Sequence, residues 1–364
     1  MNLVFLNKVK RVLVDKGEAA VGSLLYSTEH TIQAMTVRPF SLSLELTNLC
    51  NANCIFCPYQ FQDREHSFMS DQVFQKAIDD YLAIGGGTVG LTPIVGDPLI
   101  DPQFLKRVRY LRSLPAIDRI FCTTNAILLD KFGIEEVLTS GLTSITISTS
   151  GFDEASYKRI YRSSSYQRMK RNVEQLFERN AALGNPVTLW IGLRTDRPLN
   201  EVMKDPDFQE ILKHKPSIDF TWSYTSAGGR ITREMLPAGM RLRTAPGKTR
   251  PCTYLLDGPI VLTNGDVLGC SCVAAMDAVP DLYLGNILKD SLLAIHQGAQ
   301  MRGLLEQFSP QGRLNSTCAK CEQYRRPDVY KTSEGRKRAQ LNTARLSGKI
   351  VHREDKPSRP FSRG

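Results

Sequence analysis

Between residues 41 and 224, short β-rich apolar runs alternate with helical patterns in six units, and this rhythm limits the possible folds more than any other property of the chain. The runs are Ser41–Leu46, Thr88–Val95, Ile117–Thr124, Thr143–Ser148, Val187–Leu193 and Ile218–Tyr224. Ser70 is placed to cap a helix with Val73, Phe74, Ala77, Ile78, Tyr81 and Leu82 on one face, stopped at Gly85-Gly86-Gly87. Asp101–Leu114 presents Phe104, Leu105, Val108 and Leu111. One helical stretch from Asp153 runs through Met169, Val173, Leu176 and Phe177 to Gly184-Asn185-Pro186, and Leu129–Thr139 and Asn200–His214 supply the remaining connections. Strands separated by helices pair in parallel through right-handed crossovers, and six units fall short of the eight that close a barrel. The expected class is α/β, a partial (β/α)6 TIM-like barrel, with ligands at the C-terminal ends of its strands.

After about residue 235 the rhythm stops, and cysteines, glycines and short strands take over. The expected organisation is a helical segment over 1–40 carrying Leu6, Val9, Val12 and Leu13, a barrel over 41–235, a small cysteine-rich unit over 236–324, and a basic tail over 325–364. The tail holds 12 Lys/Arg against 4 Asp/Glu, so most of the net charge of +10 sits there, and its few large apolar residues suit a flexible terminus. No apolar run approaches the ~18 residues of a membrane span. The apolar start from Met1 to Leu6 is followed, not preceded, by Lys8, Lys10 and Arg11, the reverse of a secretory signal; the expected location is the cytoplasm. There the chain's nine cysteines point to metal or redox chemistry, not to a disulfide framework.

Three cysteines follow the first strand directly, in Glu45-Leu46-Thr47-Asn48-Leu49-Cys50-Asn51-Ala52-Asn53-Cys54-Ile55-Phe56-Cys57-Pro58. Thiolates at Cys-x3-Cys-x2-Cys spacing can hold three irons of a cubane and leave the fourth open. An open position is what a catalytic metal site needs and a structural one avoids. The competing reading is zinc, with His66 as the fourth ligand.

With Phe56 in the aromatic place, the stretch resembles the Cys-x3-Cys-x-aromatic-Cys motif of the radical SAM superfamily. The resemblance implies that Cys50, Cys54 and Cys57 hold a [4Fe–4S] cluster whose open iron chelates S-adenosylmethionine (SAM). One electron would then release methionine and a 5′-deoxyadenosyl radical that abstracts hydrogen from substrate. It also implies a partial (β/α)6 barrel and an electron donor such as flavodoxin or ferredoxin.

The likeness continues along one edge of the expected sheet. Val95-Gly96-Asp97-Pro98 stands where the family has Gly-Gly-Glu-Pro, with Val95 and Asp97 departing from that pattern, so Gly96, Asp97 and Pro98 are expected at the SAM amino group. Thr124-Asn125 after strand three resembles the family's Thr-Asn-Gly. Ser148 and Ser150 after strand four occupy the place of ribose or carboxylate contacts, and Arg194 at the end of strand five suits a carboxylate. Each residue alone could cap a helix or satisfy a loop; their shared edge is the stronger signal.

The late cysteines read Cys252-x17-Cys270, then Cys318-x2-Cys321, with Cys272 beside Cys270. Pro259–Cys270 is a hairpin turned at Asn264-Gly265. Four thiolates gathered this way suit either tetrahedral zinc or a fully ligated [4Fe–4S] cluster, and coordination chemistry alone leans to zinc. The Asn-Gly-Asp hairpin, the phrase Leu284-Gly285-Asn286-Ile287 and the closing Cys-x2-Cys resemble the SPASM/Twitch extensions of radical SAM enzymes, of which the single-cluster Twitch form matches better. The resemblance implies that Cys252, Cys270, Cys318 and Cys321 bind an auxiliary [4Fe–4S] cluster, with Cys272 an alternative to Cys270.

An auxiliary cluster can accept an electron from a substrate radical, so dehydrogenation of a small polar substrate such as a sugar or aminocyclitol is the leading expectation. In epimerisation a thiol would instead return hydrogen, from Cys272 or from Cys122, although Cys122 in Ile120-Phe121-Cys122 also reads as a buried strand residue. Peptide crosslinking is a third outcome, disfavoured by the short N-terminal segment. No basic–aromatic stripe suggests nucleic acid as substrate. A non-catalytic iron–sulfur or zinc protein on the same scaffold is the contrasting class.

Overall fold

The computed structural model describes residues 36–92, 95–270 and 280–325, together with Ile32. Most of the expected N-terminal helical segment, the basic tail beyond Arg325, and Cys272 lie outside the described residues.

Six strands pair in chain order and all in parallel: β1 (Ser41–Leu44), β2 (Gly87–Gly90), β3 (Ile117–Thr124), β4 (Ser144–Thr149), β5 (Thr188–Arg194) and β6 (Ser217–Thr221). Parallel neighbours cannot be joined by tight turns, so each step crosses over through helix. The crossovers are α1 (Asp71–Ala83), α2 (Phe104–Arg112), α3 (Leu129–Phe132) with α4 (Ile134–Leu138), α5 (Glu154–Tyr161) with α6 (Tyr166–Ala182), and α7 (Leu199–Val202) with α8 (Pro206–Leu212). Ser70 caps α1 as its position suggests, accepting a hydrogen bond from the Val73 amide at 3.2 Å, while Val73, Phe74, Ala77, Ile78 and Tyr81 turn inward. The sheet is open, with β6 at one edge; this is a partial (β/α)6 TIM-like barrel.

The helical stretch expected from Asp153 is two helices, not one. Arg162 adopts a left-handed conformation (φ 49°) and ends α5 after two turns. The break leaves carbonyls at the end of α5 without helical partners, and the cysteine loop uses them: the Asn53 amide donates to Tyr161 O at 3.2 Å and the Ile55 amide to Ile160 O at 2.9 Å. The 129–139 stretch likewise splits, at Gly133 (φ 79°). Strand β2 ends at Gly90, five residues before the Val95 expected. Residues 223–224 leave β6 to form β7 (Ser223–Tyr224) against β8 (Arg241–Leu242).

The sheet does not stop at residue 235. After α9 (Thr253–Asp257), β9 (Ile260–Val261) pairs parallel to β1 on the side away from β2, and β10 (Asp266–Leu268) and β11 (Tyr283–Asn286) extend the sheet antiparallel. The nine-stranded order is β11-β10-β9-β1-β2-β3-β4-β5-β6. Gly258 permits this docking, because a Cβ there would lie 1.9 Å from Ser41 O. The short helices α10 (Leu292–His296), α11 (Ala299–Glu306) and α12 (Ser316–Lys320) follow, with Cys318 inside α12 and Cys321 just past its end. The strand that delivers the first cysteines is therefore also the strand on which the late cysteine unit is built.

Candidate active site and auxiliary cysteine pocket

The first cysteine loop leaves β1 and is held from three sides at the C-terminal edge of the sheet. The end of α5 supplies carbonyls, as described. The turn after β2 supplies the Asp97 amide, which donates to Leu49 O at 2.8 Å. That approach requires Gly96, whose φ is +92° and whose Cβ, if present, would lie 2.5 Å from Thr47 O. From below, Glu45 is fully buried and forms a two-pronged ion pair with Arg64 at 2.6 and 2.9 Å, while the Thr263 amide of the β9–β10 turn also donates to it at 3.3 Å. Ser67 and Thr263 share a hydroxyl hydrogen bond at 2.7 Å.

The structure brings Asp97, Thr124 and Asn125 together. The Asp97 carboxylate, 3 % exposed, accepts from the Leu99 amide (3.0 Å), from Thr124 Oγ1 (2.9 and 3.0 Å to its two oxygens) and from the Asn125 amide (2.7 Å). Both oxygens are occupied by protein donors, so Asp97 braces the β2 turn against the end of β3. Pro98 begins the single helical turn that follows. Asn125 carries the brace onward, donating from Nδ2 to Asn51 Oδ1 at 2.6 Å and facing Cys50 Sγ at 3.9 Å.

Phe56 does not face open space. It stacks on Tyr224 at 5.2 Å between centroids and meets Tyr161 edge-on at 5.6 Å; Tyr161 in turn lies parallel to Tyr157 at 5.1 Å. Ser148 Oγ hydrogen-bonds the Tyr161 hydroxyl at 2.8 Å. Arg194 stands apart from the Asp97 group: its guanidinium pairs with Asp219 at 3.0 Å and donates to Leu193 O at 3.2 Å. Sequence reading assigned no role to Tyr161, Tyr224, Glu45 or Arg64. The spacing of Tyr157 and Tyr161 on one helix face was the available signal for the first of them.

Burial pushes the Cys50 thiol up to about 12, with the Asp97 charge adding to it, and the Cys57 thiol up to about 11. Cys54 is raised well above its ordinary value, by burial first and then by Cys57 and Cys50. Thiols so raised stay protonated at neutral pH until a metal displaces the protons. Cys122 is buried within β3 and is raised for the same reason, which suits packing and not reactivity.

Cys252, Cys270, Cys318 and Cys321 line one pocket, walled by Leu255, Leu282, Phe308 and Tyr324, with Lys248 and Thr317 at its border. Backbone amides point at the sulfurs: Arg325 N lies 3.4 Å from Cys252 Sγ and Gln323 N lies 3.3 Å from Cys321 Sγ. Asn315 Oδ1 caps α12 through the Cys318 amide at 2.7 Å. The donor set fits an iron–sulfur cluster, which wants thiolates, apolar walls and amide hydrogen bonds to sulfur. Asn51 Nδ2 in the first loop and Ser150 Oγ just after β4 are buried with no partner, an expensive state for protein alone and a natural one for groups that complete their bonding to a ligand.

Residues 44–205 match the family model for the radical SAM superfamily, and residues 247–322 match that for the SPASM iron–sulfur cluster-binding domain. The chain belongs to the radical SAM superfamily. As a member it uses a SAM-binding [4Fe–4S] cluster, and its SPASM part carries an auxiliary cluster. Curated relatives include the GTP 3′,8-cyclases of Mannheimia succiniciproducens (27% identical over 142 residues, 38% of this chain and 41% of that one) and Pasteurella multocida (25% over 257 residues, 65% and 71%). The first of these matches spans less than half the length of the relative. Among solved structures, BtrN in complex with AdoMet and 2-DOIA superposes with a TM-score of 0.51 at 13% identity, covering 79% of this chain and 98% of BtrN. Streptococcus suis SuiB bound to S-adenosylmethionine gives 0.56 at 15% identity, covering 82% and 75%. At these identities the superpositions establish the shared fold. Among the described residues, no helix is long and apolar enough to cross a membrane.

Proposed function

We propose that this radical SAM enzyme dehydrogenates a small polar substrate, such as a sugar or aminocyclitol, with the auxiliary cluster as electron acceptor. In this reading Cys50, Cys54 and Cys57 hold the SAM-cleaving cluster, and Cys252, Cys270, Cys318 and Cys321 hold the auxiliary one. The observation that carries it is the pocket lined by four cysteines. A cubane saturated by four thiolates has no open iron, so it cannot bind substrate as a Lewis acid, and electron transfer remains as its chemical use. When bound, SAM and its cluster supply the radical that removes a hydrogen atom from a carbinol carbon. Held by Cys252, Cys270, Cys318 and Cys321, the auxiliary cluster would supply a one-electron acceptor, so that the resulting carbinol radical could give up its hydroxyl proton and that electron and become a carbonyl.

The chain's own residues perform the positioning. Gly96 and Asp97 set the β2 turn against the cysteine loop, Thr124 and Asn125 tie that turn to β3, and the unpartnered Ser150 hydroxyl offers SAM a hydrogen bond. Arg194 already pairs with Asp219, so it would bind the SAM carboxylate by sharing or exchanging that partner. One structural neighbour, BtrN, is seen in complex with a small molecule, 2-DOIA, and another, SuiB, bound to the precursor peptide SuiA; the curated relatives are GTP 3′,8-cyclases. The product separates these outcomes. Anaerobic turnover of reduced, reconstituted enzyme with a panel of sugars, aminocyclitols, GTP and peptides should give one 5′-deoxyadenosine per product lacking two hydrogens. A product of unchanged mass carrying solvent deuterium would replace dehydrogenation by epimerisation, and an internal bond in a peptide or nucleotide would replace it by crosslinking or cyclisation.

A further inference from the structure

Lys248 stands four residues before Cys252 and lines the same pocket as the four cysteines. Its ammonium donates to Ala319 O at 3.0 Å and Pro246 O at 3.3 Å and lies 6.0 Å from the centre of the Tyr324 ring. Ala319 belongs to the turn between Cys318 and Cys321, so the charge is fastened to the backbone that presents two of the sulfurs. Its partners are carbonyls; among the described residues no carboxylate forms an ion pair with it. The neighbouring wall is apolar, from Leu255, Leu282 and Phe308, while Lys248 itself is half-buried and its two hydrogen bonds lie at the exposed side of the pocket.

We infer that Lys248 is the positioning residue that sets the electron affinity of the auxiliary cluster, holding its reduction potential high enough to take the electron left on the substrate. This rests on the proposed assignment of the four cysteines to that cluster. Reduction adds one negative charge to a cluster already anionic from its thiolates, so a fixed cation beside it favours the reduced state, and the amides of Gln323 and Arg325 act in the same direction.

The test is an EPR-monitored redox titration of the full chain, with Cys50, Cys54 and Cys57 replaced by Ala so that only the auxiliary cluster reports. Lys248→Met is expected to shift the ratio of reduced to oxidised cluster about tenfold toward oxidised at a fixed potential, equivalent to ~59 mV for one electron. Lys248→Arg, which keeps the charge, should restore most of it. Lys248→Gln keeps a donor toward Ala319 O but loses the charge; it should follow Met, and it is the variant to read if Met lowers iron content. An unchanged potential in Lys248→Gln with full iron content would overturn the inference and leave Lys248 a brace for the Cys-x2-Cys turn. A parent chain that holds no second cluster would instead defeat the cysteine assignment itself, a result visible in iron analysis before any titration.

Discussion

Burial raises thiols at both cysteine sites, but the charge beside each is of opposite sign. At the first loop the buried Asp97 carboxylate adds to what burial does to the Cys50 thiol; at the second pocket burial still raises the Cys318 thiol, opposed by the Asn315 hydrogen bond and, to a smaller extent, by the Lys248 ammonium. The carboxylate disfavours added negative charge and so suits a cluster that must be a strong reductant. The cation favours it and suits a cluster that accepts electrons. The construction differs too. The first loop contributes three cysteines over eight residues and is held by partners from β3, α5 and the β9–β10 turn, whereas the second pocket collects cysteines from 252 to 321 around apolar walls. A site with three thiolates leaves one position for a ligand, and one with four is built to be complete.

Reciprocal cysteine variants break this comparison most forcefully. Cys50→Ala should lower iron from ~8 to ~4 per chain and abolish 5′-deoxyadenosine formation. Cys321→Ala should lower iron to a similar level, yet leave reductive SAM cleavage measurable and uncoupled from substrate oxidation. Iron analysis together with chromatography of the nucleoside decides both. Loss of SAM cleavage in Cys321→Ala with four irons retained would mean that the second site is needed for the first to work.

The next largest effect lies between the two sites. Glu45 is fully buried and its charge is answered by Arg64, with the Thr263 amide as an extra donor. Arg64→Ala leaves an uncompensated buried carboxylate, and the expected loss of stability is about 3–5 kcal/mol. Chemical denaturation measures it. Because Glu45 joins the first loop to the β9–β10 turn, the variant should loosen both cysteine sites together, visible as lowered iron retention at each.

The parts of this design that the sequence announces are the local ones. Strand β3 spans Ile117–Thr124 as the alternation suggests, Ser70 caps α1, and the cysteine spacings mark both sites, because each depends on neighbours along the chain. The break at Arg162 carried a weaker signal, the polar run Ser163-Ser164-Ser165, which a pattern of apolar faces overrides. Contacts across long sequence distance left no such trace. Thr263 reaches Glu45 across 218 residues and Lys248 reaches Ala319 across 71, and neither pair has a local pattern to find. Asp97 shows the same limit at the site itself: its charge and position in the turn are legible, but the commitment of both oxygens to Thr124, Asn125 and Leu99 appears only when β2 and β3 lie side by side.

The smallest expected effect tests that bracing role. Burial raises the Asp97 carboxyl above its ordinary value, while hydrogen bonds from the Asn125 and Leu99 amides and from Thr124 lower it. Thr124→Val removes the hydroxyl that serves both oxygens, at a cost of about 1–3 kcal/mol. The loss has a definite pH dependence. A buried carboxyl whose folded pKa lies above its unfolded value stabilises the fold while protonated and loses that contribution as pH rises through the folded pKa. Removing Thr124 raises the folded value further, so the deficit of Thr124→Val should grow as pH rises from acid toward neutrality. Denaturation curves in acid and at neutrality measure the difference. A deficit that stays constant with pH would show that Thr124 matters for packing and for accepting the Ala126 amide at 3.0 Å, and not for holding the Asp97 charge.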